Sequence, residues 1–239
     1  RAPCLITYYC HNLTIPPIIP LLYYYYMKLI VFDCDSTLSA IEGIDELARV
    51  NGPETFDKIE ALTNAAMNGE VPIDDIFAQR LDIIQPTLHT CKKVGQLYID
   101  EIEPTALTTL EQLRAEGWQT VIISGGFTQV IEPLAKHLGV ERIEAVPLKF
   151  NEDGSYAGYD TSAPPTRNGG KPEIIQQLKA ELQPDCIVMV GDGISDLEAQ
   201  SVADTFIGFG RYAAREKVKA EADHFVFSLD EIPQIISNH

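Results

Sequence analysis

Lys28-Leu29-Ile30-Val31-Phe32-Asp33-Cys34-Asp35-Ser36-Thr37-Leu38 is an apolar run that stops at two carboxylates one residue apart. Its β-branched content and the acids that bound it predict a short buried strand over residues 29–32. Side chains alternate along a strand, but where the chain breaks into a turn both carboxylates can reach one site. Two acids at the carboxyl end of a buried strand make a cradle for a divalent cation and a phosphate. The competing reading is that Asp33 and Asp35 stop the strand and Ser36-Thr37 cap a turn, as most Asp/Ser clusters do. The stretch therefore needs distant partners.

The chain is long enough, at 239 residues, for one substantial core with a small accessory domain. Its 35 acidic against 18 basic residues give a formal net charge of -17, which argues against nucleic acid and anionic membranes as partners. An anionic substrate would need local positive charge or a metal. Cys4, Cys10, Cys34, Cys91 and Cys186 are odd in number and unpaired in spacing, so neither a zinc site nor a disulfide framework is indicated. Reduced thiols and a cytoplasmic location are the expectation. Cys34, flanked by negative charge, reads as a small packed residue. His11, His89, His137, His224 and His239 show no metal-ligand spacing.

Residues 1–26 carry no acid, one basic residue and a run of four tyrosines, and Pro16, Pro17 and Pro20 would interrupt a membrane helix. They read as a non-native or weakly ordered extension, with a signal anchor as the competing reading. Ser39 and Glu42 form a capping-box pattern opening a helix at residue 41. Further helices over residues 54–67, 73–84 and 88–98 make residues 39–103 a helical insert. Ile73, Ile76, Phe77, Leu81 and Ile84 share one helical stripe, and Arg80 lies within it. The stripe alone reads Arg80 as snorkelling to solvent; a cation on a buried face would want an anionic partner.

From Pro104 the pattern alternates. Helices are expected over 105–116, 127–138, 172–182, 194–201 and 211–219, with a last one at the end, and strands over 118–123, 186–190, 205–207 and 225–227. A hairpin pairs residues around 146–150 with 155–159 across an Asp153-Gly154 turn. Strands separated by helices imply an α/β fold: a Rossmann-like, doubly wound parallel sheet formed by residues 27–38 and 104–239.

Three of these strands end in polar residues: Asp33, then Ser124-Gly125-Gly126, then Gly191-Asp192-Gly193. Ligands bind at the carboxyl ends of such strands, so the three groups are candidates for one pocket. The glycines admit close backbone approach to a phosphate, although Ser124 could be an ordinary N-cap. Asp192 and Asp196 are one helical turn apart, suiting one to ligate a metal and the other to support it. Lys171, near the start of a helix, is disfavoured there unless something anionic is bound.

Asp33-Cys-Asp35-Ser-Thr, Ser124-Gly-Gly-Phe, Lys171 after two glycines, and Gly191-Asp192-Gly-Ile-Ser-Asp196 resemble the four motifs of the haloacid dehalogenase superfamily. Glu42-Gly-Ile-Asp-Glu-Leu, Ala66-Met67-Asn-Gly, Arg80 before Ile-Ile-Gln-Pro, Leu148-Lys-Phe, Tyr156-Ala-Gly-Tyr and Phe206-Ile-Gly-Phe-Gly are similar to its phosphoserine phosphatase family. The resemblance runs from Met27 nearly to the end, and it implies Mg2+-dependent hydrolysis of O-phospho-L-serine, the last step of serine biosynthesis, on a core with an inserted helical cap. It makes Asp33 the nucleophile and Asp35 the general acid/base. It gives Mg2+ to Asp33, the backbone carbonyl of Asp35, and Asp192, with Asp196 in support. Ser124, Gly125 and Lys171 are then set on the phosphate, Glu42 on the substrate ammonium, Arg80 on its carboxylate, and Met67 nearby. Ser195 stands where many members carry asparagine, so its phosphate contact is expected to be weaker or water-mediated. The same resemblance allows a homodimer. Two other readings share the machinery: phosphoryl transfer from phosphoserine to another alcohol, and a receiver-type signalling switch with a persistent phospho-aspartate. The switch has no place for the helical insert, and Asp35 is placed to activate water.

Overall fold

The structure is a computed structural model that describes residues 26–237; residues 1–25, with Cys4, Cys10 and His11, and the final two, with His239, lie outside the described residues. Lys28–Phe32 forms strand β1, buried from Leu29 onward. Leu29 and Val31 pack into one hydrophobic cluster and Ile30 and Phe32 into another. Both faces of the strand are covered, which is why its sequence is apolar throughout rather than alternating.

The polypeptide then leaves the sheet for four helices: α1 (Gly43–Arg49), α2 (Pro53–Met67), α3 (Ile73–Ile84) and α4 (Leu88–Asp100). The two ends of this insert meet in an antiparallel bridge between Ser39 and Ile102, with Ala40 N–H bonded to the Glu101 carbonyl and Glu103 N–H to that of Leu38. This neck overrides the expected capping box. Ser39 Oγ donates to the Glu101 carbonyl, Glu42 accepts from Ser36 Oγ, and α1 starts at Gly43 without a side-chain cap.

Back in the sheet come α5 (Ala106–Ala115), β2 (Trp118–Phe127), α6 (Thr128–Leu138), β3 (Arg142–Val146), the antiparallel hairpin β4 (Leu148–Phe150) and β5 (Tyr156–Tyr159), and α7 (Gly170–Leu182). The rest is β6 (Cys186–Gly191), α8 (Ile194–Leu197), β7 (Thr205–Phe209), α9 (Glu216–Glu221), β8 (His224–Val226) and α10 (Ile232–Ile235). The main sheet is parallel in the order β3-β2-β1-β6-β7-β8. The chain builds outward from β1 to β3, then returns to build the other half from β6. That reversal beside β1 is where such sheets bind ligands. Phe32 is level with Ile122 and Val190, so Asp33, Ser124 and Asp192 emerge together at one end of the sheet.

Sequence reading missed β3, merging its end into the hairpin. Arg142 and Glu144 pair with each other on this half-buried edge strand, and those charges hide the apolar signal. Other shifts are smaller. The helix expected from residue 172 starts at Gly170, so Pro172 is its third residue; the helix expected over 194–201 tightens into a 3-10 turn from Glu198; the one expected over 211–219 is α9.

Candidate active site

Asp33 continues the β1 ladder, its N–H bonding the Val190 carbonyl at 2.9 Å. The chain then curls, with the N–H groups of Leu38 and Ser39 both on the Cys34 carbonyl and Ser36 in the left-handed region at φ 51°. Asp35 is thereby turned back beside Asp33. Its Oδ1 accepts from Gly43 N–H at 2.6 Å and from the Tyr98 hydroxyl at 2.5 Å, and its Oδ2 from Ser124 Oγ at 3.1 Å. Burial and the Asp33 charge raise the Asp35 carboxyl above its ordinary range, against those three donors. Burial, then the Asp35 and Asp33 charges, push the Cys34 thiol well up, which suits a packed, unreactive residue.

Ser124 lies within β2 rather than at a helix cap, because the strand runs on through Gly125 and Gly126. Its Oγ also accepts from Gly126 N–H at 2.9 Å. Lys171, on the first turn of α7, is buried, 2.9 Å from Asp33 Oδ1 and hydrogen-bonded to Asp196 Oδ1. Burial works against its charge, but Asp196 and Asp33 outweigh it and hold the ammonium above its usual range. Asp196 Oδ2 accepts from Gly193 N–H at 2.9 Å, so both of its oxygens are engaged. Gly191 makes room for it: a Cβ there would stand 2.2 Å from Asp196 Cγ.

Carboxylate oxygens of Asp33, Asp192 and Asp196 lie within 4.8 Å of one another, all buried. Arg215 Nε donates to Asp192 Oδ2 at 3.1 Å, and its NH1 nitrogen to Asn68 Oδ1. Even so, burial with the charges of Asp33 and Asp196 raises Asp192 to about 8 despite Arg215. The cluster is short of positive charge, with Lys171 and Arg215 paired to three carboxylates. An all-oxygen set of this kind, with no thiolate or imidazole, fits a hard divalent cation.

Asp33, Asp35, Ser124, Gly125, Lys171 and Ser195 line a single cavity together with Glu42, Met67 and Arg80. Every side chain expected at the substrate is thus brought to one space, with Asp192 and Asp196 beside it. Arg80 does not snorkel: it is buried on α3, its NH1 nitrogen donating to Thr63 Oγ1 at 3.1 Å, while its Nε has no hydrogen-bond partner among the described residues. Thr63 in turn donates to Asp45 Oδ1 at 2.7 Å. Burial lowers the Arg80 guanidinium, and Asp45, Glu42 and Asp35 push it back up. Glu42 is half-buried on the cavity wall, and its carboxyl is raised well above its range by desolvation and by the Asp35 and Asp192 charges. A cation beside Glu42 and an anion beside Arg80 would relieve both.

Tyr98, Thr63, Asp45 and Arg215 were missed by sequence reading. Tyr98 falls on a stripe with Cys91 and Val94, and a buried tyrosine hydroxyl needs a partner, which was the available signal. Arg215 sits just before a short helix and gives no comparable cue.

Comparison with known proteins agrees with this geometry. Residues 27–204 match the family model of haloacid dehalogenase-like hydrolases. The chain therefore belongs to that family. Among its members it falls with the phosphoserine phosphatases, and it is an enzyme, a phosphatase: the bovine (Bos taurus) phosphoserine phosphatase is 37% identical over 205 residues, 85% of this chain and 90% of the relative. A phosphoserine phosphohydrolase-like structure from Francisella tularensis superposes with a TM-score of 0.81 at 28% identity, covering 88% of this chain and all of that one. A solved phosphoserine phosphatase described as a phospho-aspartyl intermediate analogue gives 0.78 at 26% identity, over 88% and 99%. No helix among the described residues is long and apolar enough to cross a membrane.

Proposed function

We propose that the enzyme hydrolyses O-phospho-L-serine to L-serine and phosphate through an aspartyl-phosphate at Asp33, with Mg2+, in the last step of serine biosynthesis. The observation that carries this is the charge layout of the cavity. Asp33, Ser124 and Lys171 suit a phosphate; on the wall of the same cavity Arg80 has an Nε with no hydrogen-bond partner among the described residues and the Glu42 carboxyl faces the charges of Asp35 and Asp192, the complement of an amino acid's carboxylate and ammonium. Met67 lines the same cavity.

In the first step an Asp33 oxygen attacks phosphorus, the bond from phosphorus to the serine oxygen breaks, and Asp35 gives its proton to that oxygen. In the second, Asp35 takes a proton from water, whose oxygen displaces the Asp33 carboxylate and frees phosphate. Ser124, Gly125 N–H and Lys171 offset charge on the equatorial oxygens throughout. Asp33, the Asp35 carbonyl and Asp192 would hold Mg2+, which supplies further charge stabilisation when bound. Asp196, its oxygens engaged by Lys171 and Gly193, keeps the cluster in place. Residues 39–103 act as a cap over a core of residues 27–38 and 104–239. Cys34, Cys91 and Cys186 are buried free thiols, which supports a reducing compartment such as the cytoplasm.

The test is a screen of phosphorylated amino acids and sugars for phosphate release, with and without an added alcohol acceptor such as homoserine. Phosphoserine should stand out, with serine and phosphate released in equal amounts. Preference for a sugar phosphate, or transfer to the acceptor in place of release, would overturn the reading.

A further inference from the structure

Tyr98 lies on α4, the helix that packs against core helix α6, and is fully buried. Its hydroxyl and the Gly43 N–H converge on one oxygen of Asp35, Oδ1, at 2.5 and 2.6 Å. Gly43 is what lets them meet, since a Cβ at that position would stand 2.2 Å from the Tyr98 oxygen. The other oxygen, Oδ2, faces Ser124 Oγ and lies 2.8 Å from where a Cβ on Gly126 would be, on the side where Ser124 and Gly126 line the cavity.

The two carboxyl oxygens are therefore not equivalent. The Gly43 N–H can only donate and takes one lone pair of Oδ1; a proton on the other would require the buried Tyr98 hydroxyl to give up its hydrogen bond to Asp35 and turn from donor to acceptor. We propose that Tyr98 is a positioning residue for proton transfer: by holding Oδ1 with Gly43 N–H, it confines the exchangeable proton of Asp35 to Oδ2, the oxygen that faces the ester. This rests on the acid/base role given to Asp35 above. In the first step the proton on Oδ2 passes to the leaving alcohol oxygen as its bond to phosphorus breaks, and Oδ1 stays bonded to its two donors throughout. Without the phenol the proton can sit on either oxygen and the carboxyl can rotate, so the productive arrangement is populated less often.

Tyr98→Phe keeps the ring and removes the O–H. The measurement is kcat/KM, which covers the steps up to release of the alcohol, for phosphoserine, a simple alkyl phosphate and p-nitrophenyl phosphate. An alkoxide needs the proton to leave, whereas nitrophenolate does not. The ratio of the alkyl to the aryl value should fall about tenfold or more relative to wild type, within the range general acid catalysis supplies. That ratio does not depend on how much of the variant is folded. Gly43→Ala, which displaces the same hydroxyl, should lower it too. An unchanged ratio in both variants, whether from equal losses or from none, would overturn the proposal. If wild type ignores phosphoserine but cleaves the simple alkyl phosphate, the substrate reading fails while the alkyl-to-aryl ratio still tests Tyr98.

Discussion

Lys171 Nζ stands 2.9 Å from Asp33 Oδ1, in a buried ion pair that Asp196 shares. The lysine brings positive charge to the carboxylate proposed to attack phosphorus. Asp33→Asn should abolish turnover, by at least about a thousandfold, while leaving the Lys171–Asp196 pair and the urea midpoint nearly intact. Lys171→Met should do more, since removing one partner from a buried ion pair costs about 3–5 kcal/mol and two carboxylates are left facing each other. Assays and urea titrations of the two variants check this. An active Asp33→Asn variant would remove the covalent mechanism.

Metal dependence can be read without turnover. Asp33, Asp192 and Asp196 repel one another in the buried cluster, so a cation that binds them stabilises the fold, by about 2.7 kcal/mol at a hundred times its Kd. Mg2+ should raise the melting temperature of wild type, and Asp192→Asn should lose most of that rise. In assays chelation should stop phosphate release, and Ca2+ should restore it poorly, because a larger ion tolerates a bidentate Asp33 that is no longer free to attack. Undiminished hydrolysis after thorough chelation would contradict the metal assignment.

The strand ends were legible because each apolar run breaks abruptly: Phe32 to Asp33, Ile123 to Ser124, Val190 to Gly191-Asp192. Convergence followed from the parallel topology, and the resemblance assigned the roles. Arg80 shows the limit of periodicity, which places a residue on a stripe but not the depth of that stripe. Its burial depends on Thr63 and Asp45, on α2 and α1, meeting it from 17 and 35 residues away. Tyr98 is harder still, being 63 residues from Asp35, with its role set by a packing contact between insert and core. Strand β3 was lost because charged edge residues imitate a loop.

Asp45 gives a stability prediction with a definite sign. Desolvation raises its carboxyl to about 6, against the Thr63 hydrogen bond and the Arg80 charge. Between about pH 4 and pH 6 the folded state binds more protons at Asp45 than the unfolded chain, so this group's contribution is full at acid pH and is lost as pH rises through 6. A shift of about two units amounts to about 3 kcal/mol. Asp45→Asn has no charge to lose, so its stability relative to wild type should climb by up to about 3 kcal/mol from pH 4 to pH 7 and then level off. Urea unfolding of both proteins across that range measures it; a flat difference would mean that Asp45 titrates alike in both states.

Specificity for an amino-acid phosphate rests on Glu42 and Arg80. If Arg80 binds the substrate carboxylate and Glu42 the ammonium, Arg80→Met or Glu42→Gln leaves one charge of a bound zwitterion unpaired in a closed site. Truncating one side of such a desolvated pair costs about 2–5 kcal/mol, or about 30- to several-thousandfold in kcat/KM. An aryl phosphate carries neither charge and should lose less than about tenfold. The bland alternatives predict otherwise. Were Arg80 held for packing, the methionine would keep most of its contact with Phe77 and both substrates would survive. Were Glu42 needed to hold Ser36, its partner at 2.7 Å, glutamine could accept that bond and again neither substrate would discriminate. The measurement is kcat/KM for phosphoserine and for p-nitrophenyl phosphate in wild type, Glu42→Gln and Arg80→Met. Losses confined to phosphoserine support the assignment, and equal losses on both substrates would return Glu42 and Arg80 to the scaffold.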